Sequence, residues 1–564
     1  MKSISKSGIL LILFSVFFIA CKKQLDIKNP NQPNPETLKT ENGIIAYGLG
    51  GVYQSGFRST KYGDGVVGES FYSFVNGFHG LLGDEVGIEA ANVYANQVGC
   101  PDKVTYNGGA TSVLNPGTPN RSTLVIREKN QNSSAGANPL FYEWSWMYNL
   151  NNACNVILEY VDNVSFSGDA VTKKAVLKAW AYWWKGYAYS RIGSMYYAGL
   201  IRNSSQLANP NPEGNYVSSN AIIAESNSNY DKAATILNAL TINATYTATL
   251  AKLIPDFCQV GKGLPPTPLM WVHNINTMKA RNILINKTVS AITAADWTSI
   301  VTLTTNGIQS GDYVFTGRSN TNGDFLSTGG GSVAAKSAST TGTPQTAGTY
   351  KISERLIQDY KTGDQRKANN FIQGASAALF NVDRGNAFNT RFGLKSGGNG
   401  MGGVIVYVNI TVAGATEYYL AGTWEENQLM LAEATMYAGS FSATAINTAM
   451  SLIDAVRTSQ GAGLTAVAGV VTTQAAALEE LRIERRSGLA FRGLVFYDAR
   501  RWKVIDPVSA GGGRTNCNLI SNAGVFYSDA TIDYNYLDYW DVPDNELAYN
   551  PAAGGSAPVK NPRQ

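Results

Sequence analysis

The stretch LRIERRSGLAFRGLVFYDARRW, residues 481–502, carries six arginines against two acids, and most of its other positions are apolar or aromatic. A nucleic-acid surface needs basic residues spread over a domain of clear positive charge. This chain of 564 residues is nearly neutral at +4, and the arginines here alternate with Leu, Phe and Trp. Asp498 precedes Arg501 by three residues, and Glu484 is placed to reach arginines on a facing helix. Guanidinium groups make planar two-point contacts with carboxylates, reach helix C-terminal carbonyls and pack on aromatic faces. The stretch reads as a structural clamp of Arg485, Arg486, Asp498, Arg500 and Arg501 that ties packed helices together. It is not a binding site on this reading, and no nucleic-acid partner is expected.

Outside the clamp, charged residues make up only 15% of the chain and glycine numbers 57, a globular composition rich in loops. Aromatics reach 11%, with 30 Tyr and 10 Trp, which suit a core and also surfaces that stack on sugar rings or peptides. His79 and His273 are the only histidines. That argues against a histidine-built zinc site or a histidine-dependent nucleophile, and neither metal nor cofactor is expected. Adjacent carboxylates occur at Asp84 and Glu85, Glu425 and Glu426, and Glu479 and Glu480. Helical neighbours point about 100° apart, so none of these is itself a catalytic pair.

The N-terminus carries the compartment signal. Lys2 and Lys6 precede an apolar run over 9–20, and Cys21 follows at once. A basic start with a short apolar segment matches a secretory signal and is too short for a permanent membrane span. A cysteine directly after FFIA resembles the bacterial lipobox and makes Cys21 the lipid-attachment residue; an ordinary cleaved signal with an incidental cysteine is the plainer alternative. The polar, proline-rich KKQLDIKNPNQPNPETL (22–38) suits a tether. The expected organisation is a signal peptide over 1–20, a lipid-anchored tether over 21–34 and one domain over 35–564. Cys100, Cys154, Cys258 and Cys517 show no C-x-x-C spacing. Two disulfides in one of three pairings, or buried free thiols, are both compatible with it.

Apolar spacing of three and four residues predicts helices over 141–163 and 175–197. Further helices are expected over 35–57, 221–240, 270–286, 295–308, 353–361, 417–438, 442–458 and 474–491, and Gly461 and Gly463 mark a helix stop. The fold class is mostly α, stacked helix pairs with very few long strands. Residues 98–140, 309–350 and 373–414, rich in Gly, Ser, Thr and Asn, read as long irregular loops, with a strand over 403–412. GGNGMGG (397–403) has the G-x-G-x-x-G spacing of a dinucleotide site, but a strand-like run follows it where a helix is required. SNTNGD (319–324) lacks the opening carboxylate of a calcium loop and reads as a turn.

Taken in order, these segments resemble the SusD/RagB-like nutrient-binding outer-membrane lipoproteins of Bacteroidetes. Residues 481–502 resemble the family's closing pattern of an E-R-R helix, L-A-F, a Gly turn and D-x-R-R-W. TWEENQLMLAEATMYA (423–438) resembles its L-x-x-A-E-A helix through Leu429, Ala432, Glu433 and Ala434, and INTAMSLIDAVRTSQGAGL (446–464) the segment that follows. GYAYSRIGSMYYAGLI (186–201), MKARNILIN (278–286) and RLIQDYKTGDQR (355–366) resemble further elements. Gly488 and Arg492 stand where the family usually carries Glu, and Leu494 and Val495 replace a more polar pair. Losing two acids while keeping the arginines implies a partly rewired clamp.

The resemblance implies about four tetratricopeptide-like helix pairs as a scaffold, with long irregular loops over about 98–140 and 309–414 forming a ligand face. It implies a cell-surface lipoprotein of the outer membrane, anchored by its lipid, that binds oligosaccharides and acts as a lid on a SusC-like TonB-dependent transporter without chemistry of its own. A peptide ligand, as in the RagB branch, is the alternative, and a lipid-anchored glycoside hydrolase a more distant one. No ligand residue carries over from the family. The candidates here are loop aromatics, Tyr94, Tyr106, Tyr313, Phe315 and Phe325, each weighed against ordinary packing, while Trp271 is assigned to the core.

Overall fold

Helix starts are written in the sequence as capping residues. The side chain of Asn138 accepts from the Leu140 N–H, Asp169 from Thr172, Ser218 from Ala221 and Thr267 from Met270. Thr293 and Asp296 cap each other reciprocally, and Thr423, Ser442 and Thr473 open the last three long helices. Each such oxygen satisfies an N–H that has no partner inside its own helix. The helices so started are α1 (Pro139–Tyr160), α2 (Ala170–Met195), α3 (Ser219–Asn238), α4 (Pro268–Ile285), α5 (Ala294–Thr305), α6 (Trp424–Ala438), α7 (Ala443–Ser459) and α8 (Gln474–Gly488). The short helix α9 (Val495–Arg501) follows a turn at Gly493, whose φ is +70°.

The structure is a computed structural model that describes residues 35–53, 74–88, 94–317, 350–374, 388–395 and 418–563, apart from residues 118, 207, 210–212 and 260, together with 333 and 337–339. Each helix from α1 to α8 packs on the next in chain order, the arrangement of a tetratricopeptide-like stack. At the α2–α3 crossing the chains come so close that a Cβ at Gly186 would lie 2.6 Å from the Tyr230 ring. Trp180, Trp183 and Trp184 of α2 and Trp271 of α4 form the aromatic centre, all at most 1% exposed.

Sequence periodicity placed the long helices correctly and misjudged shorter elements. The expected 35–57 helix is Glu41–Tyr47 continued by a π-helical turn over Gly48–Tyr53, and the expected 417–438 helix starts only at Trp424. Region 98–140 is not irregular. It holds β1 (Lys103–Tyr106), β2 (Thr111–Leu114) and a helix over Ser122–Lys129. With β3 (Phe388–Asn389), β4 (Arg514–Ser521) and β5 (Phe526–Asp533) these strands build an antiparallel sheet in the order β3-β4-β5-β1-β2. The β4–β5 hairpin escaped a period-two reading because its register shifts twice, between Arg514 and Leu519, which breaks the alternation.

Cys100, Cys154, Cys258 and Cys517 are buried free thiols. Among the described residues no helix is long and apolar enough to cross a membrane. Cys21 and the signal segment, the loops over 319–324 and 397–403, and the expected strand over 403–412 lie outside the described residues.

Candidate ligand groove and the arginine clamp

The arginine stretch joins α8 to α9 and both to the rest of the stack. Arg485 Nε donates to Asp498 Oδ2 at 2.9 Å, Arg501 Nε donates to Asp498 Oδ1 at 2.7 Å, and Arg501 Nη2 donates to Glu433 Oε2 on α6 at 2.8 Å. Burial alone would raise the Asp498 carboxyl; Arg485 and Arg501 outweigh it and hold it below the usual carboxylate range. Arg500 Nη1 and Nη2 donate to the carbonyls of Ser194 and Ile285 at 2.6 and 2.8 Å, near the C-termini of α2 and α4, while its guanidinium stacks over Tyr539 at 4.2 Å. A cation there complements the negative end of two helix dipoles. Arg486 donates to the backbone oxygens of Gly83 and Asp84.

The two acids of that turn serve different partners. Asp84 takes two bonds from Arg355, each 3.0 Å, and one from the Tyr534 hydroxyl at 2.8 Å. Glu85 accepts the Phe491 N–H at 2.7 Å, and burial pushes its carboxyl up to about 7. Where the acid is missing at Gly488, a Cβ would lie 2.7 Å from Glu484 Oε1, so the flank is already filled. Glu484 instead takes Arg457 of α7 at 2.8 Å and the Arg366 guanidinium. Arg492 stacks over Tyr419 at 4.3 Å.

The loop aromatics scatter. Phe315 precedes the short strand Thr316–Gly317, is 2% exposed and sits edge-on to Trp183 at 4.8 Å, Trp271 at 5.3 Å and Trp180 at 5.5 Å; it is core. Tyr106 is buried beside Tyr527 on the sheet. Tyr94 is half-buried with the Lys129 ammonium 4.7 Å over its ring, and Tyr313 is half-buried beside Asp312, which pairs with His273 at 2.8 Å. Phe325 lies outside the described residues. Trp271 is fully buried.

A groove runs instead along one face of α1, with a volume of about 310 Å³, roofed by residues 200–206 and flanked by Glu546. Phe141 and Tyr148 offer half-buried aromatic faces, and Trp144 backs Tyr148 at 4.6 Å. The Tyr148 hydroxyl fixes the roof through the Leu200 carbonyl at 3.0 Å. Asn151 and Asn155 each donate to the Arg202 carbonyl at 3.0 Å, and Asn152 accepts the Gln206 N–H at 2.7 Å. Beneath the floor Lys185 donates to Asn155 Oδ1 and Asn203 Oδ1, both at 2.7 Å, and burial lowers it to about 8.

What remains for a ligand is a set of polar groups beside aromatic rings. The Ser145 hydroxyl and the Asn149 amide make no hydrogen bond among the described residues. Neutral donors and acceptors beside ring faces match the chemistry of a sugar, apolar on its C–H face and hydroxylated at its edge. Glu546 is the one carboxylate among the described lining residues, so a two-carboxylate hydrolysis lacks its second group there. The sequence held a signal for this face. Phe141, Trp144, Ser145, Tyr148, Asn149 and Asn152 recur at three- and four-residue spacing, which marks a helix face without saying whether it is covered.

Residues 426–553 match the sequence model of the SusD family, a segment that contains Glu426, Glu433 and the whole arginine stretch. A SusD-like carbohydrate binding protein from Bacteroides fragilis shares the fold at a TM-score of 0.52 and 14% identity, over 92% of this chain and 99% of that one. The chain has a SusD-like fold. A SusD homolog from Bacteroides thetaiotaomicron also superposes at a TM-score of 0.52 and 14% identity, over 91% and 97% of the two chains. A SusD superfamily protein from Bacteroides vulgatus does so at 0.51 and 13%, over 90% and 97%. No curated protein matches this SusD-like chain. The helical scaffold is common ground at these identities.

Proposed function

We propose that this SusD-like protein binds carbohydrate in the α1 groove and delivers it to a SusC-like TonB-dependent transporter, which it covers as a lid. The observation that carries the binding step is the juxtaposition of Phe141 and Tyr148 with the uncommitted Ser145 and Asn149 side chains. The carbohydrate-binding description of the Bacteroides fragilis structure points the same way. An outer-membrane location on the cell exterior follows from Cys21 as the lipid-attachment residue, residues 21–34 as tether and 35–564 as one domain. Binding without turnover fits a groove with one carboxylate among its described lining residues.

A glycan array probed with the protein starting at Lys22 tests the ligand class. Retention on one family of oligosaccharides, with no sugar released on prolonged incubation, is the expected result. Retention of unfolded peptides with no glycan signal would transfer the groove to the peptide-binding alternative. Sugar release abolished by Glu546→Gln would overturn binding without chemistry.

A further inference from the structure

Between α8, α9 and β4 lies a second, much smaller cavity of about 30 Å³. Four guanidiniums line it, from Arg482, Arg485, Arg486 and Arg514, and Asp498 is the one carboxylate among the described lining residues. Asp498 is already divided between Arg485 and Arg501. Arg485 is 2% exposed, yet its Nη1 is buried with no hydrogen-bond partner among the described residues. Arg514 Nε is likewise without a hydrogen bond, and the Asp84 carboxylate it pairs with stands 3.6 Å away, held by Arg355. Arg482 pairs with Glu479 and reaches Asp359 at 3.5 Å, and Arg486 pairs with Asp359 through Nε and gives its terminal nitrogens to the carbonyls of Gly83 and Asp84, so the two cations left short of acceptors are Arg485 and Arg514. Burial, then the nearby Arg514 charge, lowers Arg486 to about 10, against the opposing pull of Asp359.

Buried cationic donors with no acceptor are costly, and a counter-charge removes more of that cost than a neutral water does. The volume narrows the choice. A cavity needs roughly 10–15 Å³ to admit one water, so this one has room for a monatomic anion held directly by the guanidiniums. We propose that this cavity is a halide site, in which one chloride-sized anion accepts from Arg485 Nη1 and the Arg514 guanidinium and locks α8, α9 and β4 together. The site is independent of the glycan groove, which is built on α1.

Crystals of the protein transferred from chloride to bromide, with data collected at the bromine absorption edge, test the site directly. An anomalous peak within hydrogen-bond distance of Arg485 Nη1 is expected. A map without that peak, or with water density that gives no anomalous signal, overturns the proposal. In solution, replacing chloride by gluconate at fixed ionic strength is expected to lower Tm on the order of a few degrees, saturably in chloride. Arg514→Gln is expected to remove that dependence while the protein still folds, since Arg514 makes no hydrogen bond here. A chloride effect of equal size in Arg514→Gln and the unchanged protein also overturns it.

Discussion

Arg501 and Glu433 stand 68 residues apart in sequence and meet side by side in the interior, with the Arg501 side chain 0% and the Glu433 side chain 1% exposed. Because Arg501 also donates to Asp498, one guanidinium couples α6 to α9 and, through Arg485, to α8. Removing one partner leaves a buried charge without its counter-charge. Arg501→Met is expected to cost about 3–5 kcal/mol in urea unfolding, and Arg501→Met with Glu433→Met to recover a large part of it. Equal losses in the single and double variants would refute this coupling.

Glu85 makes stability fall as pH rises. Its folded carboxyl is raised to about 7 from an ordinary value of 4.5, so the folded state holds the proton more tightly. The contribution is therefore full below about pH 4.5 and is lost as pH rises through 7, on the order of 3 kcal/mol across that window. Glu85→Gln keeps the oxygen that accepts the Phe491 N–H and is expected to flatten this part of the pH–stability curve, read from urea midpoints at half-unit steps.

In the groove, Phe141→Ala and Asn149→Ala are expected each to weaken glycan binding about tenfold by calorimetry, equivalent to about 1.4 kcal/mol. Asn149→Ala should leave Tm within a degree of the unchanged protein, whereas Phe141→Ala also loses some stability because Phe141 packs against the core. Tyr148→Phe frees the Leu200 backbone and is expected to lower affinity together with thermal stability.

At the α2–α3 crossing, Gly186→Ala is expected to cost roughly 1–3 kcal/mol, because its Cβ meets the Tyr230 ring, which is itself fully buried. Tyr230→Leu in the same chain should restore part of the loss if this contact is the cause.

The four buried thiols predict that a thiol-reactive dye labels Cys100, Cys154, Cys258 and Cys517 only after unfolding. Reductant is expected to leave Tm unchanged. Labelling short of four thiols in denaturant without reductant would show a disulfide.

By itself the sequence determined the helical stack. Caps such as Asp169 and Thr293, spacing over α1 to α8 and the fully buried Trp271 are local chemistry, readable wherever three- and four-residue periodicity persists. It also marked 481–502 as an internal clamp, since six arginines cannot share two acids without calling on distant ones. Which distant ones was a tertiary matter: Glu433 and the carbonyls of Ser194 and Ile285 come to the arginines only when the stack closes. The ligand face was decided the same way. Phe315 lies in a loop yet points into the tryptophan core, whereas Phe141 and Tyr148 lie on a long helix yet line a groove. Periodicity gives a helix its faces, but only packing says which face is covered, and residues 200–206 folding over α1 make a groove of one of them.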